Sequence, residues 1–119
     1  MIATVNDHTI DSFLRHDLCA LILARSTCNR CISYLGDVRQ LLDRGALGDT
    51  EVGVMMLDLP GVSQFRRQNP WLMNAELLPY TVLYRHGHRV DGFSASRGHF
   101  LLDHHPQSAR QRPELTLIR

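Results

Sequence analysis

The chain has 119 residues and a mass of 13.6 kDa, which is one domain's worth with no room for a second core. With 44% hydrophobic and 21% charged residues, it is not a disordered chain, a collagen-like repeat or a disulfide-dense miniprotein. A net charge of +1 gives no general field for nucleic acid or an anionic membrane, and the absence of lysine excludes Schiff-base chemistry on that residue.

No internal repeat or low-complexity segment interrupts the chain, and its elements alternate. Residues 2–5 are a short apolar run, expected as an edge strand. Residues 7–16 carry Ile10, Phe13 and Leu14 at helical spacing. Residues 18–24 are continuously apolar, which suits a strand buried on both faces inside a parallel sheet. This is the longest apolar run, far short of the roughly 20 residues a membrane-spanning helix needs.

The strongest helix covers residues 29–44. Cys31, Tyr34, Leu35, Val38, Leu41 and Leu42 line one face, and Gly45 is the expected stop. Gly36 inside it costs about 1 kcal/mol relative to Ala. Residues 52–57 read as a strand. Residues 60–68 read as a helix with Pro60 in its first turn and Val62 and Phe65 facing inward.

Residues 80–84 and 90–93 are β-rich runs joined by Arg85-His86-Gly87-His88-Arg89, expected as an antiparallel hairpin. Ser96 reads as the N-cap of a last helix with Phe100, Leu101 and Leu102, closed by Pro106. The expected order is β-α-β-α-β-α-β-β-α: an α/β fold with a mixed sheet, a βαβ unit, a hairpin plus helix, and helices on both faces. Residues 1–105 form the expected domain and 106–119 a polar, Arg-rich tail.

The segment Met1-Ile2-Ala3-Thr4-Val5-Asn6-Asp7 lacks the features of a secretory signal, so a cytoplasmic setting is expected. The three cysteines, Cys19, Cys28 and Cys31, make no disulfide framework. In a reducing compartment a C-x-x-C means metal binding or redox chemistry more often than a staple.

Cys28-Asn29-Arg30-Cys31 follows the buried strand directly and opens the longest amphipathic helix. A helix N-terminus offers unpaired N–H groups and a positive partial charge, which stabilise the reactive thiolate form. Cys28 is then the outer attacking sulfur, and Cys31, one turn in, resolves the mixed disulfide. Arg30 lowers the Cys28 pKa further, below the free thiol's value of about 8.5. Asp58, closing the third strand, is the nearest candidate for a base. Structural zinc would need two more ligands, for which His86, His88, His99, His104 and His105 lack the tight pairing with a second cysteine motif. Cys19, in the buried strand, reads as core.

Three landmarks carry a family resemblance: the cysteine pair at the strand–helix junction, Leu77-Leu78-Pro79-Tyr80-Thr81-Val82-Leu83-Tyr84, and the glycine-bearing hairpin ending at Gly92-Phe93. Over residues 2–105 the chain resembles thioredoxin-like thiol–disulfide oxidoreductases. The resemblance implies a thioredoxin-like fold and a cis bond at Pro79. It also implies a substrate groove formed by Thr27, Leu78, Pro79 and Gly92 beside the cysteines. No metal or organic cofactor is implied. The implied partners are a protein thiol or disulfide and an electron donor, either glutathione or a reductase of the thioredoxin-reductase type. The chain differs from thioredoxins in having Thr27 where they have tryptophan, Asn29-Arg30 where they have Gly-Pro, and Ile22 where they bury an aspartate. These differences sustain the alternative of a thioredoxin-fold binding module or assembly factor with a non-catalytic cysteine pair.

Overall fold

The computed structural model describes residues 1–70 and 78–94. Among these residues five strands, β1 (Ile2–Thr4), β2 (Leu18–Ala24), β3 (Glu51–Met56), β4 (Tyr80–Arg85) and β5 (His88–Ser94), form one sheet in the order β1-β3-β2-β4-β5. β3 runs parallel to both β1 and β2, whereas β4 is antiparallel to β2 and β5. β2 therefore lies in the middle, and all of its residues are buried, as the uninterrupted apolar run predicts.

Three helices among the described residues, α1 (Ile10–Phe13), α2 (Asn29–Asp43) and α3 (Ser63–Gln68), flank the sheet. Register shows how α1 and α2 divide between the faces. Gly53 pairs with Leu21, and a Cβ on Gly53 would meet the Phe13 ring of α1. Thr81 pairs with Ile22, and its hydroxyl meets Tyr34 of α2 at 2.7 Å. Leu21 and Ile22 point to opposite faces, so α1 and α2 cover opposite sides. The core is apolar, with Thr81 and Thr50 its buried polar residues among those described.

The observed elements differ from expectation where side chains compete with the helix pattern. α1 covers one turn instead of residues 7–16. The Asn6 carboxamide accepts from the His8 and Thr9 amides, and the Asp7 carboxylate accepts from Gln64 and Phe65 at 2.9 Å each. Asp7 thus caps α3 across the fold, and α3 begins at Ser63 instead of Pro60. α2 ends where expected. Gly45, at φ 70°, and Ala46 donate back to Leu42 and Leu41 in a Schellman arrangement.

The hairpin link is shorter than the sequence suggests. His86 and Gly87 both have positive φ, 51° and 79°, so two residues make the whole turn and pairing continues to Arg85 and His88. A register shift after Leu83 leaves Val90 as the extra residue of a bulge. The last helix, the tail and Trp71 lie outside the described residues.

Two glycines give opposite expectations. A Cβ on Gly53 would lie 2.6 Å from Val5 Cγ2 and 2.9 Å from Phe13 Cε1, so Gly53→Ala overpacks the core and lowers stability by about 1–3 kcal/mol. A Cβ on Gly36 meets nothing within 4 Å, so Gly36→Ala raises stability by about 0.5–1 kcal/mol through helix propensity. Urea midpoints of the two variants check both signs.

Candidate functional site

The chain leaves the sheet at Ala24, turns through Ser26 and Thr27, and enters α2 with Cys28 as the N-cap. Two interactions shape that turn. The Cys28 amide donates to Arg25 O at 3.2 Å. The Asp58 carboxylate accepts from the Ser26 amide at 3.0 Å and from its hydroxyl. The neighbouring strand supplies Asp58 because the Leu57 amide donates to Ala24 O at 2.8 Å, keeping β2 and β3 in step to their ends.

Cys28 fills the place of the usual Ser, Thr or Asp cap, its Sγ accepting from the Cys31 amide at 3.2 Å. It is half-buried, whereas Cys31 is 0% exposed. Their thiols differ accordingly. Burial works against the Cys28 anion but is outweighed by hydrogen bonds from the Cys31 thiol and amide and by the Arg30 charge, which together bring its pKa below the ordinary thiol value. Burial, with the thiol–thiol hydrogen bond and the Cys28 charge, pushes Cys31 up to about 11. Cys28 is therefore the sulfur that ionises first.

Pro79 is brought to the same end of the sheet from the other side. Leu23 pairs with Tyr80, so Pro79 stands one step further along, next to the end of β2. Its bond to Leu78 is cis, and both residues are buried. Thr27 and Arg30 are exposed beside Cys28.

Two predicted residues sit differently from expectation. Asp58 is exposed, and its carboxyl pKa lies below the ordinary range because the Ser26 hydroxyl and amide hydrogen-bond to it. It anchors the loop and lacks the raised pKa of a buried base. Gly92 pairs with Val82, two residues in from Tyr80. A Cβ there would come within 2.6 Å of Tyr80 Oη and 2.8 Å of Arg89 Nη2, and these two groups are hydrogen-bonded at 3.0 Å. A side chain there would have to displace the ends of the Tyr80 and Arg89 side chains.

The Ser26–Asp58 anchor and the Tyr34–Thr81 bond were missed in the sequence because each joins residues 32 or 47 positions apart. Ile22 is buried on the α2 face, and no carboxylate is buried among the described residues. Cys19 is buried in β2, donates to Phe13 O at 3.2 Å, and is pushed to about 11 by burial, with Glu51 and Asp17 adding to the effect. Among the described residues no group of three His, Cys, Asp or Glu side chains is placed to hold a metal ion. No helix among them is long and apolar enough to cross a membrane.

Solved structures that superpose on this fold include several thioredoxins. Thioredoxin f2 of Chlamydomonas reinhardtii superposes with a TM-score of 0.73 at 13% identity, covering 95% of this chain and 98% of its own. The Fasciola hepatica thioredoxin gives 0.68 at 15% identity, covering 93% and 100%. A point mutant of the Halobacterium salinarum thioredoxin gives 0.69 at 16%, covering 89% and 88%. The chain has the thioredoxin fold. At these identities the likeness is one of fold, and no family model or curated protein sequence matches the chain.

The two thiols predict separate titrations. Cys28 forms thiolate absorbance below the ordinary thiol range, and Arg30→Gln moves that step to higher pH. Cys19 and Cys31 resist ionisation until about 11 in the folded protein. In the unfolded chain they ionise at ordinary thiol values. Their contribution to stability is therefore fully present below the ordinary thiol pKa and is lost as pH rises toward 11. Urea midpoints of the reduced protein should fall across that alkaline window and fall less in Cys19→Ala.

Proposed function

We propose that the protein is a thiol–disulfide oxidoreductase acting on protein disulfides through Cys28 and Cys31. The observation that carries this reading is the asymmetry of the pair: an accessible Cys28 with a lowered pKa at a helix N-terminus, and a buried Cys31 one turn behind it with its pKa raised.

In the first step the Cys28 thiolate attacks one sulfur of the substrate disulfide. A Cys28–substrate disulfide forms, the substrate S–S bond breaks, and the other substrate sulfur leaves as thiolate. Cys31 then gives its proton to solvent base, and its thiolate attacks Cys28 Sγ. The second substrate sulfur leaves and is protonated. The substrate has gained two electrons, and the protein holds a Cys28–Cys31 disulfide. A thiol donor, glutathione or a reductase of the thioredoxin-reductase type, returns the electrons. Thr27 and the backbone around Leu78 and Pro79 flank the attacked disulfide. A reducing, cytoplasmic setting goes with this reading, since there the three cysteines can persist as thiols.

The mixed disulfide removes the Cys28 charge, leaving burial as the main obstacle to Cys31 ionisation. With Ile22 on the α2 face and Asp58 committed to Ser26, the described residues offer Cys31 no buried carboxylate, and this reading assigns its proton to solvent base. Resolution is therefore slow near neutral pH and accelerates as pH rises.

Insulin reduction tests the reading. Wild type should turn over, Cys28→Ser should be inactive, and Cys31→Ser should accumulate the mixed disulfide. Stopped-flow resolution rates should rise with pH up to the Cys31 step. If wild type and Cys28→Ser are alike in insulin reduction, the oxidoreductase reading falls. The binding module, which the apolar Ile22 favours, then takes its place.

A further inference from the structure

Among the described residues, the charges that neighbour Cys28 in the chain and at the end of β3 are mostly positive. Arg25 and Arg30, both exposed, stand on either side of it in the chain. Arg30 acts on both cysteines and Arg25 on Asp58. From α3, Arg66 donates through Nη1 to Leu57 O at 3.2 Å, which holds a third guanidinium at the backbone of the residue before Asp58. The acid among these four, Asp58, has both carboxylate oxygens engaged by Ser26. Asp7, beyond the end of β1, is likewise spent on the amides of α3. Two of the few large apolar side chains exposed among the described residues neighbour these groups in the chain: Ile32 (53%), directly after Cys31, and Leu59 (49%), directly after Asp58.

We propose that the rim around Cys28 selects protein disulfides whose cysteines are flanked by Asp or Glu. Arg25 and Arg30 are the specificity-determining residues, and Ile32 and Leu59 receive an apolar side chain of the same segment. The inference rests on the oxidoreductase reading and names its substrate class. Its physical basis is a reversal of the ordinary preference. A thiolate is an anion, so a simple thiol reductant reacts more slowly with an acid-flanked disulfide than with a base-flanked one. Among the described residues, Arg25 and Arg30 on either side of Cys28, with Arg66 at the Leu57 carbonyl, outnumber the Asp58 carboxylate and turn that repulsion into attraction. Exposed charges act mainly on the rate of encounter, and salt screens them.

The test uses matched disulfide peptides with acidic, neutral or basic flanks, each containing one Leu beside the cysteine. They are reduced by the full-length protein and, separately, by dithiothreitol. Relative to dithiothreitol, wild type should favour the acidic over the basic peptide on the order of tenfold at low ionic strength, and the preference should shrink severalfold as salt screens the charges. Arg25→Glu should narrow or invert the acidic-to-basic ratio, and Arg25→Gln should shift it the same way by less. Oxidised glutathione, anionic but without a Leu for Ile32 and Leu59, should react more slowly than the acidic peptide. Ratios equal to those of dithiothreitol, or faster reduction of glutathione, would overturn the proposal. If neither insulin nor any peptide is reduced, the oxidoreductase reading fails by itself. Calorimetry of the acidic and basic peptides with Cys28→Ser then decides the rim: tighter acidic binding supports it, and equal binding overturns it.

Discussion

The point at which β2 ends fixes nearly everything about the site. β2 is buried throughout and paired along its length with β3 on one side and β4 on the other. A strand held that way has no freedom of register, because a one-residue slip would exchange every side chain between the two helix-covered faces. The chain can therefore leave the sheet only after Ala24, and the short turn that follows delivers Cys28 to the start of α2. β3 ends and the antiparallel β4 begins at the same edge, so Asp58 just after β3 and Pro79 just before β4 arrive there without any sequence proximity to the cysteines.

Helix capping then does chemical work. The first turn of a helix has amide N–H groups with no partner inside the helix. At most helices a hydroxyl or carboxylate takes one of them; here it is a sulfur. The amide that completes the helix therefore also stabilises the thiolate. Removing a proton from Cys28 strengthens its hydrogen bond to the Cys31 amide, whereas removing one from Cys31 would place a charge in an apolar core. Capping and burial of the same turn give the two sulfurs different reactivity from identical side chains.

The sequence carries the parts of this that depend on local pattern. The apolar run of β2, the 3.6-residue period of α2, the Gly45 stop and the position of the C-x-x-C between strand and helix follow from neighbouring residues and match the structure. What a single sequence does not show is how side chains are spent across the fold. Asp7 lies in an amphipathic stretch and looks like the start of a helix, but its carboxylate caps α3, and α1 shrinks to one turn. Asp58 has the position of a base and the partners of a loop anchor. The five-residue basic link before β5 contracts to two residues because His86 accepts a left-handed conformation, which Gly commonly adopts and His does at some cost.

One buried polar pair connects the two sides of the site. α2 is capped by Cys28 and bears Cys31, and β4 follows Pro79. The Tyr34 hydroxyl and Thr81 Oγ1, 2.7 Å apart, join α2 to β4 directly. Inside an apolar core either hydroxyl left alone would cost about 1–3 kcal/mol, so the pair specifies how α2 sits over the sheet as well as adding to its stability. Burial raises the Tyr34 pKa to about 12, so the phenol stays protonated through the range in which Cys28, lowered below the ordinary thiol value, titrates. This link of the frame therefore holds through the pH range in which the reactive sulfur changes charge. A change in Cys28 charge alters the chemistry without releasing the helix that carries it.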